Sequence, residues 1–481
     1  MGLRFAAGNI RHTTRTRFLT GNVDDSIAIL RSGDAGVTAP AAEAHSAASH
    51  CDVFVLGGGP AGSTIAALLA ERGWNVVIAE KERHPRFHIG ESLLPMNLPM
   101  LDRLGVREQV ERIGLIKYGA EFTSPQHGAP VTLNFSNAWD KAYPSTFQVR
   151  RSQFDEILFR NSAAKGAQTI EACRVTNVEF PAGDDVRITA KLGDGTTCGW
   201  RARFCVDASG RDTFLANRFG IKRRNSRHNS AAIYGHFEGA KRLPGKEEGN
   251  ISIFWFEHGW FWFIPLIDGA TSVGAVCWPY YMKTRKTDPA RFLLDTIALC
   301  PALAERLRDA TLSAGATATG NYSYYSERMY GDRHIMLGDA FAFVDPVFSS
   351  GVMLAMNSAF VGADAVDASL RDSATANAAL LRFDENVRSG VKEFSWFIFR
   401  MTNPTIRDLF MGPQNLLRME EALLSLLSGD LFRGTPIHWS LCAFKCVYYL
   451  SNLAHPWRTF NAWRGRKRAL RERQDESPAH A

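Results

Sequence analysis

The sequence predicts an α/β fold in which a mostly parallel sheet is interrupted by a second, inserted sheet and followed by a helical C-terminal region. Three observations predict it. Residues 52 to 79 read as strand, glycine-rich turn, helix and strand, the opening of a parallel sheet. Strand-rich segments at about 118–150 and 231–280 break that alternation, and after about Arg371 helical patterns dominate. The expected division is therefore a disordered extension over 1–50, a core over 51–370 carrying the inserted sheet, and a helical region over 371–481 with a basic tail.

The first element, Asp52-Val-Phe-Val-Leu56, is a short apolar strand, and Gly57-Gly58-Gly59-Pro60-Ala61-Gly62 follows it into an alanine- and leucine-rich helix reaching about Arg72. Gly57 permits the tight turn, Gly59 lets backbone approach a pyrophosphate, and Gly62 allows helix to pack closely on strand, with phosphate charge facing the helix dipole. The second strand, Asn75 to Ala79, ends at Glu80, whose carboxylate is placed to accept a ribose hydroxyl. A glycine-rich turn often only links strand to helix. Strand, loop, helix, second strand and terminal acid in order are a dinucleotide-binding unit of Rossmann type.

Far downstream, Arg333-His-Ile-Met-Leu-Gly-Asp339 again reads as a strand ending in a carboxylate. Ala340, a Phe343-Val-Asp-Pro346 turn and a long helix from about Ser350 come next. A second acid so late implies a long cofactor spanning the domain. This arrangement resembles the flavoprotein monooxygenase superfamily, which implies that Asp339 contacts the ribityl chain of FAD and that the following helix N-terminus faces the flavin. Arg151, in Arg151-Ser-Gln-Phe154-Asp155, matches an arginine beside the cofactor, although it also reads as an exposed helix-start arginine. Asp207-Ala-Ser-Gly210-Arg211 matches the turn that closes the first domain.

Three further motifs narrow the resemblance. Arg86-Phe-His-Ile-Gly90-Glu91-Ser92-Leu-Leu-Pro95 is similar to the flavin-flanking segment of FAD-dependent halogenases, with Glu91 among the cofactor-site positions. Trp260-x-Trp262-x-Ile264-Pro265 matches that family's tryptophan motif, and Phe343-x-x-Pro346-x-x-Ser349-x-Gly351 matches its turn before the flavin-facing helix. Together they cover about Asp52 to Leu370. On them the chain resembles flavin-dependent halogenases acting on phenols and pyrroles, and the implied fold is a Rossmann-type FAD-binding domain with an inserted β-sheet substrate domain and a C-terminal helical region.

The resemblance implies the chemistry. Reduced FAD and O2 convert chloride or bromide to hypohalous acid, which travels through the protein to a lysine beside an electron-rich ring. Ser350 and Gly351 would hold the halide through backbone N–H groups, Val352 would lie against the flavin, and Trp260 and Trp262 would shield it. The matching lysine is Lys117, in Ile116-Lys117-Tyr118-Gly119-Ala120-Glu121-Phe122. A lysine ammonium is a compact donor whose pKa falls readily on burial. Each residue keeps a plainer reading: a solvated lysine, a strand buried on both faces for 260–265, a helix cap for Ser349-Ser350-Gly351.

Two departures qualify the match. Where tryptophan halogenases carry a glutamate before the Ser/Thr-Ser/Thr-Gly triplet, this chain has Phe348, which argues against free tryptophan as substrate. Ser272-Val-Gly-Ala-Val-Cys-Trp278 lacks the aspartate through which some relatives attach FAD covalently, so the FAD is expected to be non-covalent.

Bulk properties set outer limits. With 481 residues, 45% of them hydrophobic, the chain can bury a large core. Its eight cysteines form no Cys-x-x-Cys pair, so reduced thiols, no metal and a cytoplasmic setting are expected. No stretch approaches a transmembrane segment. The N-terminal 50 residues, Arg-bearing and then rich in Ala, Ser and Gly, read as a disordered arm or a targeting segment. Trp396, Phe397, Phe399 and Met401 read as core or as pocket lining. An aromatic run from Trp439 to Trp457 precedes Arg458, Arg464, Arg466, Lys467, Arg468, Arg471 and Arg473, which fits a solvated helix, a membrane-surface contact or a dock for an acidic carrier protein. A net charge of +7, gathered at one end, argues against nucleic acid.

The expected partners are a separate flavin reductase supplying FADH2 and an aromatic small molecule, free or on an acyl or peptidyl carrier protein. Competing readings are an NAD(P)H-dependent aromatic hydroxylase, a geranylgeranyl-reductase-like enzyme sharing the Gly-Glu-Ser-Leu-Leu-Pro segment, and a carrier-binding scaffold without chemistry.

Overall fold

The structure, a computed structural model, describes residues 49–471 except 226, 227, 314, 321, 322 and 373. The expected N-terminal extension, apart from its last two residues, and Arg473 of the basic tail lie outside the described residues.

The first sheet runs in the order Tyr330–Gly331, His334–Met336, Thr197–Asp207, Ser49–Leu56, Val76–Ala79, Gln168–Ile170. Its central pairs are parallel: Leu56 lies opposite Asp207 on one side and Ala79 on the other, so three strands end together at one edge. Ligands of such sheets bind beyond the carboxyl ends of their strands. A hairpin, Cys173–Glu179 with Val186–Leu192, extends the sheet antiparallel from Thr197–Asp207. Helix Pro60–Glu71 packs between helices Arg151–Ala164 and Gly351–Leu370. Pro60 occupies its first turn, where a missing N–H costs nothing.

Gly57 has φ +100°, and a Cβ there would strike the carbonyl of Ala208. A Cβ on Gly62 would collide with the carbonyl of Gly57. These two glycines let turn, helix and neighbouring strand close on one another.

The second sheet runs Thr311–Leu312, Ala231–Glu238, Thr271–Cys277, Gly259–Pro265, Ile251–Phe256, Gly119–Thr123, Val131–Asn134, with Thr317–Thr319 also on Ala231–Glu238. The segments 119–134 and 231–277 thus join as the patterns predict, and 311–319 adds to them. Thr146–Val149, expected in this sheet, pairs instead with Gly114–Lys117 in a separate ladder that sets Lys117 opposite Thr146. Gly259–Pro265 is buried on both faces, because each side meets a different core. Phe261 and Phe263 enter a cluster with Phe254 and Leu293, whereas Trp260, Trp262 and Ile264 enter one with Trp255 and Phe348.

Beyond Leu370 every described regular element is helical, from Ala376–Ile398 to Pro456–Arg471. Phe397 and Met401 are core, while Trp396 and Phe399 are only partly buried against it. No helix among the described residues is long and apolar enough to cross a membrane.

Candidate functional site

A cavity of about 350 Å³ opens at the carboxyl edge of the first sheet. Gly57, Gly59 and Ala61 of the turn line it, as do Glu80, Glu91, Arg151, Asp339, Gly351, Val352, Trp260 and Trp262. Residues separated by almost 300 positions therefore share one space. Four expected site residues do not line it: Gly58, Gly62, Ser350 and Lys117.

Gly58 and Gly62 stand behind the wall. A Cβ on Gly58 would press on the Phe159 ring, and the Gly58 N–H donates to Glu80 Oε2 at 2.8 Å. The carboxylate also takes Arg86 Nη2 at 3.3 Å and the Glu82 N–H at 3.1 Å. Its four lone-pair positions leave room for a ribose hydroxyl.

Arg151 is not an exposed helix-start arginine. Its guanidinium grips Asp155 one turn on in its own helix, Nε to Oδ1 at 2.8 Å and Nη2 to Oδ2 at 3.0 Å, and Nη1 donates to Ile89 O at 2.8 Å. Burial works to raise the Asp155 carboxyl, but Arg151 and Arg86 hold it below its usual range. A bidentate pair of this kind fixes the guanidinium plane. It anchors the segment Phe87–Glu91 along the cavity.

Asp339 follows the strand His334–Met336 in a short helical turn. Burial pushes its carboxyl up to about 6, against the pull of Arg211 and Arg151. Glu91 is turned toward His236, whose Nε2 lies 3.0 and 3.1 Å from its two oxygens. His236 comes from the second sheet and was not expected. Burial, helped by Arg151, lowers His88 to about 4, so this cavity histidine is neutral at physiological pH.

The turn before the long helix carries a one-residue surprise. Ser349, with φ +56°, takes the left-handed position and lines the large cavity, whereas Ser350 faces a second cavity of about 30 Å³ with Asp345 and Phe394. Gly351 borders both. Among the described residues the N–H groups of Gly351 and Val352 meet no acceptor, as first-turn amides do, so they are available to an anion. Asp345 holds the turn, accepting from the Val347 N–H at 3.2 Å and Ser230 Oγ at 2.8 Å, with His228 Nε2 at 2.9 Å.

Trp260 and Trp262 present one face of their strand to the cavity, with ring centroids 6.1 Å apart. Trp262 Nε1 donates to Ser272 Oγ at 3.2 Å. Its ring lies against Gly274, where any Cβ would collide with it. As the plain reading has it, the strand is buried on both faces, and one of those faces is the cavity wall.

Lys117 lies beyond that cavity, 1% exposed. Its Nζ donates to Ser92 Oγ at 2.9 Å and to Leu93 O at 3.1 Å, and sits 5.2 Å from the centre of the Phe135 ring. No carboxylate pairs with it among the described residues, and burial lowers its pKa to about 7. It is not a solvated lysine. Phe348, in place of a glutamate, is buried and stacks on Phe410 with centroids 6.1 Å apart.

The strand-turn-helix unit, the open backbone face of Gly59, the first-turn amides and the cavity's Arg86, Arg151 and Arg211 fit an anionic dinucleotide, and the second acid, Asp339, fits its far half. Comparisons agree. A family model for the FAD binding domain matches residues 50–392. The chain is 30% identical over 407 residues to a 1H-pyrrole-2-carbonyl-[peptidyl-carrier protein] chlorinase of Pseudomonas fluorescens, covering 80% of this chain and 90% of that one. It is 34% identical over 331 residues to a tryptophan 2-halogenase of Chondromyces crocatus, 66% of this chain and 61% of that relative. The solved structure of the myxobacterial chondrochloren halogenase CndH, an FAD-dependent halogenase, superposes with a TM-score of 0.71 at 34% identity, covering 79% of this chain and 90% of that one. The chain belongs to the flavin-dependent halogenases, enzymes that bind FAD and halogenate aromatic compounds.

Proposed function

We propose that this halogenase delivers chlorine or bromine to an electron-rich phenol or pyrrole, free or tethered to a carrier protein, through Lys117. The observation that carries this reading is the placement of Lys117: fully buried, brought to about 7, and separated from the cofactor cavity by Ser92. Reduced FAD, when bound, would give two electrons to O2 and the halide the other two, so that FADH2, O2, halide and a proton yield FAD, hypohalous acid and water. The first-turn amides at Gly351 and Val352, with Ser349 or Ser350 beside them, hold the halide. Trp260 and Trp262 keep the organic ring off the flavin. Lys117 receives the oxidant beyond them, and near neutral pH it can act as ammonium donor or as amine.

Phe348 and Phe410 offer rings and no carboxylate, so nothing at that position would deprotonate or orient an indole; a phenol or pyrrole activates itself. The pyrrole-carrier chlorinase among the relatives supports a tethered substrate. FADH2 is proposed to come from a separate reductase, and the setting to be the cytoplasm, in keeping with eight unpaired cysteines.

The test supplies FADH2, O2, chloride or bromide, and a panel of free and carrier-loaded phenols and pyrroles together with tryptophan, and reads product mass. Lys117→Ala should abolish halogenated product while flavin oxidation continues. Normal halogenation by that variant would remove Lys117 from the mechanism. A tryptophan product would contradict the role given to Phe348, and stoichiometric NADPH oxidation without a reductase would contradict the partner.

A further inference from the structure

Two helices close the described chain, His438–Ala454 and Pro456–Arg471. The first buries Leu441, Phe444 and Tyr448 against the core, with Phe444 and Phe397 rings 5.5 Å apart. Its opposite side carries Trp439, Cys442, Cys446, Leu450 and Leu453, at steps of three or four residues and hence one stripe. Trp439 is 86% exposed, Leu450 64% and Leu453 76%, and both cysteines are exposed free thiols. The stripe is about 20 Å long. No charge interrupts it, because the helix's one charged residue, Lys445, pairs with Glu393 at 2.7 Å.

The second helix continues the exposure. Trp457, Phe460 and Trp463 are all exposed, with ring centroids 6.4 and 6.0 Å apart in succession. Arg464 lies 5.7 Å from the centre of the Phe460 ring and Lys467 Nζ 4.5 Å from that of Trp463. Pro456–Arg471 holds Arg458, Arg464, Arg466, Lys467, Arg468 and Arg471 and no acidic residue. Arg458 is already held by Asp408.

We propose that these helices seat the enzyme on an anionic lipid surface, as a peripheral contact that does not cross the bilayer. An uncharged stripe of tryptophan and leucine gives an acidic protein nothing to pair with along its length, whereas acyl chains accept it. Arg464 and Lys467 on the following helix match lipid phosphates, and tryptophans belong at the boundary between the two. Contiguous apolar surface of this kind is not left bare on a protein without an occupant.

The experiment floats the full-length enzyme with vesicles of phosphatidylcholine alone or mixed with phosphatidylglycerol. Binding to the mixed vesicles should be about tenfold tighter or more, and should weaken as salt rises. Leu450→Asp with Leu453→Asp should weaken it about tenfold or more while flavin oxidation is unchanged. A polarity-sensitive dye attached at Cys442 and Cys446 should shift to the blue on mixed vesicles and not on phosphatidylcholine. The proposal is overturned if the wild type stays unbound with both vesicles. It is equally overturned if the two thiols of the free enzyme resist labelling, which would show the face covered by residues 1–48 or a second copy. A third outcome against it is a double variant that binds vesicles normally but no longer accepts a carrier-loaded substrate.

Discussion

Lys117 Nζ and Ser92 Oγ are 2.9 Å apart, and Ser92 is the residue that touches both the lysine and the cofactor cavity. Ser92 therefore stands between the two, with its hydroxyl on the lysine. We expect Ser92→Ala to lower halogenation about tenfold, the worth of one hydrogen bond to a charged group, with flavin oxidation unaffected. Ser92→Thr should restore most of it. Equal activity in all three would show that Leu93 O alone positions the ammonium.

Lys117 should also set a pH dependence of stability. Its pKa is about 7 in the folded protein against a reference of 10.5, so between these values the unfolded chain binds more protons and stability rises with pH. The destabilisation is complete below about pH 7 and gone above about 10.5. Lys117→Met should raise stability by up to roughly 4–5 kcal/mol at pH 6 and by little at pH 10.5. Urea melts at the two pH values measure it; equal gains at both would mean that packing, not charge, was relieved.

Gly274 lies under the Trp262 ring, with no space for a methyl group. Gly274→Ala must displace the indole and open the wall. The expected result is more hydrogen peroxide released per flavin oxidised and less halogenated product, with FAD still bound. A variant that stays fully coupled would show that Trp262 is packing and no barrier.

Gly351 faces open space, since a Cβ there meets nothing within 4 Å. Gly351→Val should leave thermal stability and FAD affinity close to wild type while raising the halide concentration for half-maximal rate about tenfold. If halide dependence does not move, the anion binds elsewhere.

Local chemistry was legible in the sequence where a motif is its own environment. The glycines of 57–62 make turn, helix start and close packing within six residues, and Trp260-x-Trp262-x-Ile264 needs only the alternation of a strand to put three side chains on one face. Arg151 was readable in principle, because Asp155 stands four residues on, one helical turn away. Glu91 with His236, and Lys117 with Ser92, were not, because neither partner is set by local periodicity. Ser349 and Ser350 differ by a single backbone conformation, the left-handed turn at Ser349, which two adjacent serines do not announce. The helix His438–Ala454 was illegible for another reason: it is apolar on both sides, and periodicity cannot say which side meets the core.

The strand Gly259–Pro265 has one face in each of two cores, so the wall it gives the cavity is anchored from behind by packing of its own. Phe135 and Phe348 belong to the same core as Trp260 and Trp262, whereas Phe261 and Phe263 pack with Phe254 and Leu293 on the far side. Exchanges among Phe254, Leu293 and their neighbours therefore meet the cavity wall only through the strand itself. For redesign, the phenylalanine face is where this wall can be stiffened without changing what the cavity or Lys117 meets.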